Sequence, residues 1–487
     1  MIVSVYYRLD SFGFLSVPAF HESPNGDFNV GFQDQIRALR WVQKNIHAFG
    51  GDPSRVTING QSAGGNSVEL HLIAHESRKL FSGAIAQSVY RAPLPTPEEQ
   101  KVSRPLMPVG PHTSPTTNNL GQPLFEFYAL QAGCGSGPVQ SQLACLRNAS
   151  VSTLARAQDA STSAQLYEVV IVGSNSCSFH LSNGSYKMFL PVLDGKIIAD
   201  LPTRSILAGN SARVPLVVGY VHILRVCHIC KFHWSDFRST SNETVAQGGN
   251  ITASLKSFFP KLNRADLKEF LKAYPEDEFT GEDQRFQVAT GEPELICAVS
   301  FKLFIMCGDM VLLMCPIDQR AIMGGAYAQS GLKTWTYRYN QPNPTSGSDS
   351  VGHAAENWMM FWGTNTGYDT SILLVAWVLR SRQDNVAHSN SFNGSTTFTP
   401  MTPVEVAFSE ELIAYWLSFV RSGDPNTHKL ARSPTWSPYL THNKSRIVFQ
   451  QDPQNTTTHS GCYNEYEPSK ESRRCQFVAR KVAHERD

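Results

Sequence analysis

The sequence predicts an α/β fold with a central, mostly parallel sheet flanked by helices. Three stretches near its start carry that reading. Residues 2–7, "IVSVYY", are a β-branched and aromatic run of the kind that forms a buried strand. Next, "GFQDQIRALRWVQKNIHAFGG" places Phe32, Ile36, Leu39, Gln43 and Ile46 along one helical face, all but Gln43 apolar, and stops at Gly50-Gly51. Third, "DPSRVTI" begins a second strand that runs into "NGQSAGGNSVELHL". Strand, helix, strand, tight turn and helix in that order make a parallel βαβα unit, with a right-handed crossover expected. Further strands are expected over 214–219 ("VPLVVG") and 333–342 ("KTWTYRYNQP"), with helical stretches between them, one of them at 410–423.

The turn between the second strand and its helix frames one serine as Gly60-Gln61-Ser62-Ala63-Gly64. A strand-to-helix turn of this form holds its serine in a strained backbone conformation with the hydroxyl exposed, ready to act as a nucleophile. Small residues at Gly60 and Gly64 are expected to let strand and helix approach closely. The helix N-terminus behind Ser62 favours developing negative charge, and the Ala63 amide is the expected oxyanion donor. The plainer alternative is a glycine-rich turn with an incidental serine.

Composition limits the rest. The chain has 487 residues, 41% apolar and 17% charged, with a formal net charge of +1. That is globular, long enough for one large α/β domain or two domains, and gives no electrostatic reason to bind nucleic acid or an anionic membrane. The most apolar stretch, "VSFKLFIMCGDMVLLMC", is broken by Lys302 and Asp309, so no transmembrane span is expected. N-x-S/T sequons at Asn148, Asn183, Asn242, Asn250, Asn393, Asn443 and Asn455, with ten cysteines, point to an oxidising, extracellular setting. Yet "MIVSVYYRLD" lacks the basic first segment of a signal peptide. A chain that opens inside a core strand is expected to be incomplete at its N-terminus, and the unpaired apolar edge to lower solubility.

Longer stretches make a family resemblance specific. "VSVYYRLDSFGFLS", "NVGFQDQIRALRWVQKNIHAFGGDPSRVTINGQSAGG" and "LFSGAIAQS" resemble the type-B carboxylesterase/lipase family, the α/β-hydrolase group of cholinesterases and fungal lipases. Patches recur in family order, among them "FEFYALQAGCGSGPVQSQLACLRNAS", "LPVLDGKIIADLP", "RVPLVVG", "LKTWTYRYNQP" and "VGHAAENWMMFWG". The resemblance implies a single α/β-hydrolase domain over residues 1–487, missing its N-terminal strands, and a secreted full-length relative. It also implies hydrolysis of small-molecule or lipid esters through a covalent acyl-enzyme, with no cofactor and no metal. Ser62 would be the nucleophile and His353, in "GHAAE", the base. The family's acid is usually a glutamate before glycine soon after the "VPLVVG" strand. Here the first glutamate is Glu243, in "SNET", with Thr244 in place of glycine, and Asp236 is the alternative. The family's other oxyanion donors come from a glycine-rich loop upstream of residues 2–7. A chain lacking that loop would lose turnover, about a hundred- to a thousand-fold per donor. The competing reading is a catalytically impaired fragment or a hydrolase-fold protein that only binds partners. Oligomeric state stays open.

Four segments of similar length interrupt the family-like text, at 102–122, 220–241, 299–319 and 368–391. Their ends are compatible with splice-donor and splice-acceptor codons, so short introns translated in frame are expected; the alternative is four surface loops. Cys227 and Cys230 in "CHIC", near His222, His228 and His233, fall in one segment and have no second cysteine pair at zinc-site spacing. Cys307 and Cys315 fall in another. The resemblance supports a Cys134–Cys145 disulfide, and Cys462–Cys475 is a second, weaker pairing.

Overall fold

In the computed structural model, strands β1 (Thr57–Gln61), β2 (Gly83–Gln87), β3 (Leu216–Val221), β4 (Thr334–Tyr339), β5 (Ser445–Phe449) and β6 (Tyr463–Tyr466) pair in sequence order into one sheet. The model describes residues 1–21, 26–89, 94–101, 123–167, 189–221, 252, 263–279, 285, 289, 323–342, 351, 354–360, 401–440, 442–471 and 473–475. Pairing from β1 through β5 is parallel, and β6 closes the series antiparallel to β5.

Parallel strands need both faces covered, because their connections are helices laid over the sheet. The residues obey this. Along β2 and β3, Ala84, Ala86, Leu216, Val218 and Tyr220 enter one apolar core, and Ile85, Val217 and Val221 enter a second. That alternation is the two-residue period of a strand buried on both sides. The first core takes Phe32, Ile36 and Leu39 from the helix Val30–Asn45 and Val68 and Leu72 from the helix Ala63–Ile73. The second takes Trp358 and Met359 from the helix Ala355–Met360 and Phe408, Leu412, Tyr415, Trp416 and Phe419 from the helix Pro403–Ser422. The result is a three-layer α/β/α arrangement.

Local chemistry fixes these helices as the sequence led one to expect. Gln43, the polar member of its face, donates its amide to the carbonyls of Pro53 and Leu80 at 2.8 and 2.9 Å. The helix Pro403–Ser422 starts with a reciprocal Thr402/Glu405 capping box and Pro403 at its first position, and Gly423 ends it at φ 69°. It is longer than the expected stretch at its N-terminal end.

Several expectations need correction. Residues 2–7 join no strand, and Ile2 and Tyr6 are 82% and 98% exposed. β propensity measures fit to a pleated, half-buried surface, and no described strand lies beside this run to supply one. The strand begun by "DPSRVTI" starts only at Thr57, because Pro53–Arg55 forms a 3₁₀ turn capped by the Asp52 carboxylate. Tyr220 and Val221, the first residues of segment 220–241, complete β3 and are buried. The rest of that segment, and the segments 102–122, 299–319 and 368–391, lie outside the described residues.

The Cys134–Cys145 disulfide is present, with Cα atoms 5.6 Å apart, and closes a loop that contributes about 3 kcal/mol in the chain-entropy picture. Cys462–Cys475 does not form. Cys462 is a free, buried thiol, and Cys475 is disulfide-bonded, so the two are not joined to each other. Bridging requires Cα atoms to approach within about 7 Å, which sequence proximity does not ensure.

Candidate active site

Ser62 sits at the carboxyl end of β1, at φ 59° and ψ −117°. That region of backbone space is strained for any residue with a side chain and is occupied where the surroundings over-determine it. Three contacts do so here. The Ser62 amide donates to the Gln87 carbonyl of β2 at 2.9 Å. The Ser62 carbonyl accepts from the Asn66 amide at 2.9 Å, which starts the helix Ala63–Ile73. Gly60 is pressed against the turn, where an added Cβ would lie 2.2 Å from the Gly64 carbonyl oxygen.

The glycines divide the work differently from expectation. Gly60 and Gly65 are the close-approach positions: a Cβ at Gly65 would meet the Gln87 carbonyl oxygen at 2.8 Å. At Gly64 an added Cβ would meet nothing within 4 Å. Gly64 matters through its backbone, against which Gly60 packs, and not through its missing side chain.

The Ser62 hydroxyl makes no cap to the helix it opens. Ala63 is the first residue of that helix and is exposed. First-turn amides have no partner within their own helix, and the Ala63 N–H, next to Ser62, is one of them. Behind the turn the helix is anchored by His71. Its Nε2 lies 3.0 Å from the Gln35 side-chain oxygen, and its ring stacks on Phe32 at 4.4 Å. Burial pushes this imidazole down to about 3, so it stays neutral inside the core.

Strain recurs nearby. Ser88 follows β2 at φ 43°, and Ala354, next after His353 in the chain, has φ 65°. Non-glycine residues held at positive φ cluster at functional sites. The topology adds a second argument. β1, β2, β3 and β4 run parallel, so their carboxyl ends share one edge of the sheet. Ser62 leaves β1 there. The chain toward Asp236 and Glu243 leaves from Val221 of β3, and the chain toward His353 leaves from Tyr339 of β4. In parallel α/β sheets this edge is where ligands bind. Glu243, Asp236 and His353 themselves lie outside the described residues, as do Cys227 and Cys230. Among the described residues no group of three or more His, Cys, Asp or Glu is arranged to hold a metal ion, and no helix is long and apolar enough to cross a membrane.

Two buried residues beside the turn went unread in the sequence. Gln87 and Glu356 are 1% and 0% exposed, and the Gln87 amide faces the Glu356 carboxylate. A lone acid inside the apolar run "AAENWMM" was the available signal.

A mostly parallel sheet covered on both faces, with a strained serine at a strand-to-helix turn, defines an α/β-hydrolase fold. The comparisons agree. Residues 1–469 match the model of the carboxylesterase family, and the chain belongs to that family. It is 26% identical over 458 residues to an acetylcholinesterase of Bungarus fasciatus, covering 93% of this chain and 61% of that protein. An acetylcholinesterase of Danio rerio is 27% identical over 441 residues, covering 88% and 59%. The chain thus spans about three-fifths of the length of these curated relatives. The crystal structure of EstA from Aspergillus niger superposes with a TM-score of 0.63 at 23% identity, covering 98% of this chain and 74% of that one.

Proposed function

We propose that this chain is a carboxylic ester hydrolase acting through a covalent acyl-enzyme on Ser62. One observation carries the reading: Ser62 is held at φ 59° on a glycine-packed strand-to-helix turn, its hydroxyl unused as a cap and a first-turn amide next to it. A serine hydroxyl is a weak nucleophile until a base takes its proton. His353 fills that role. It removes the Ser62 proton as Oγ bonds to the ester carbonyl carbon. The resulting oxyanion accepts from the Ala63 amide. The carbon–oxygen bond to the alcohol breaks, and His353 returns its proton to the departing alkoxide. Water, deprotonated by His353, then attacks the acyl carbonyl carbon; the bond from that carbon to Ser62 Oγ breaks, His353 returns the proton to Oγ, and the acid leaves. Glu243 holds His353 in orientation and stabilises its charged form, with Asp236 the second candidate. This sequence of steps calls on no cofactor.

Relatives named acetylcholinesterase support a small-molecule ester as substrate. Export is supported by the Cys134–Cys145 bridge and by Asn148 and Asn455, both exposed in their sequons.

The test is hydrolysis of p-nitrophenyl acetate and butyrate by the purified chain and by Ser62→Ala. Loss of the nucleophile is expected to lower kcat by about 10⁴-fold or more. Equal rates for both proteins would overturn the reading, and no hydrolysis by either would favour a non-enzymatic hydrolase-fold protein.

A further inference from the structure

We propose that Gln87 and Glu356 form a buried positioning pair that ties the Ser62 turn to the helix following His353. The inference rests on the serine-hydrolase reading for its catalytic consequence, but the tie itself is structural.

Gln87 is the last residue of β2 and works in two directions. Its backbone carbonyl accepts the Ser62 amide at 2.9 Å, so it sets the backbone of the turn. Its side chain points to the opposite task. Gln87 shares its sheet face with Ile85, which enters the core against the helices Ala355–Met360 and Pro403–Ser422. From there its amide nitrogen lies 3.4 Å from Glu356 Oε1 and 3.8 Å from Met360 Sδ. Both partners belong to the helix Ala355–Met360.

That helix is short, and Glu356 stands three residues after His353 in the chain. Its far end is also held: the Ser409 hydroxyl of the helix Pro403–Ser422 donates to the Met359 carbonyl. With one end tied to the Pro403 helix and Glu356 tied to Gln87, the helix has little freedom to shift relative to Ser62. A buried carboxyl and a buried primary amide are costly groups in an apolar core unless they are paired. Packing alone would place an aliphatic residue at each position. Glu356 Oε2 has no hydrogen-bond partner among the described residues. Gln87 and the Tyr337 hydroxyl both face this carboxyl, and the Gln87 amide donates to its Oε1.

The experiment uses the full chain in five forms: wild type, Gln87→Leu, Glu356→Leu, the double leucine variant and the exchanged pair Gln87→Glu/Glu356→Gln. Hydrogen exchange is read on the peptide covering 57–66, and fluorophosphonate labelling is followed over time. Each leucine variant is expected to speed exchange in that peptide about ten-fold and slow labelling about ten-fold. The exchanged pair swaps donor and acceptor and is expected to restore both. The double leucine variant should lose no more than either single one, as for two halves of one contact. Exchange within two-fold of wild type in both leucine variants, or failure of the exchanged pair to restore it, would overturn the proposal. A leucine variant that does not fold shifts the decision to the exchanged pair, whose behaviour alone then supports or overturns it. If wild type is never labelled, the hydrolase reading fails, while the exchange data still decide the tie.

Discussion

Replacing Gly60 by alanine is expected to unseat the serine turn, whereas the same change at Gly64 is expected to be tolerated. The added Cβ at Gly60 would lie 2.2 Å from the Gly64 carbonyl oxygen and 2.4 Å from its carbon. These are backbone atoms of the first turn of a helix, and they cannot swing aside as the end of a side chain can. Relief requires β1 and the helix Ala63–Ile73 to separate, at the point where Ser62 is held by the Gln87 carbonyl. Overpacking of this kind costs about 3 kcal/mol, at the upper end of the usual range, because the clash is with backbone on both sides. Gly64→Ala meets open space and sits in a helix, where alanine is favoured over glycine by about 0.5–1 kcal/mol. Urea denaturation and fluorophosphonate labelling of both variants check this. A destabilised, unlabelled Gly60→Ala beside a stable, labelled Gly64→Ala is the expected pattern, and equal tolerance of both substitutions would contradict the geometry.

The second large effect lies in Glu356 and depends on pH. Burial pushes its carboxyl up from an ordinary value of 4.5 to about 7, with its own backbone amide, the Gln87 amide and the Tyr337 hydroxyl pulling partly the other way. In the unfolded chain the group ionises near its ordinary value. Between about 4.5 and 7 the folded state therefore holds a proton that the unfolded state has lost. Stability contributed by this group is complete below the lower value, falls as pH rises through the window, and levels off above it. The loss amounts to roughly 3 kcal/mol at about 1.4 kcal/mol per pH unit. The neighbouring Tyr337 and Tyr339 do not titrate in this window, because burial raises both far above 10. Glu356→Gln removes the titration and keeps the shape. The variant is thus expected to be more stable than wild type at pH 8, by up to roughly 3 kcal/mol, with the difference vanishing near pH 4.5. Paired denaturant titrations at the two pH values measure it. A difference that does not change with pH would show that Glu356 is not held as the structure places it.

Much of this was legible in the sequence because it is local chemistry. The turn around Ser62 is written in short-range sterics, and Gly60 is needed wherever such a turn forms. β3 and β4 are apolar enough to read as strands on both faces. What was missed depends on partners. β2 reads as "GAIAQ", with alanines that carry little β propensity, and becomes a strand because it lies between β1 and β3. β5 carries Arg446, whose buried charge is matched by Glu465 and Glu471 at 2.6 Å, contacts that no spacing announces. β6 is an edge strand of polar and aromatic residues and has no apolar alternation. Residues 2–7 fail in the opposite sense: high propensity with no neighbouring strand. Gln87 and Glu356 meet across 269 positions, and only the fold brings an acid and an amide together at that separation.

An activated serine at position 62 reacts covalently with a fluorophosphonate. The most direct measurement is to treat the folded chain with a fluorophosphonate and map the adduct by peptide mass spectrometry. A single adduct on the peptide containing Ser62 is expected, absent in Ser62→Ala. An adduct on another serine, or none on a chain shown to be folded, would contradict it.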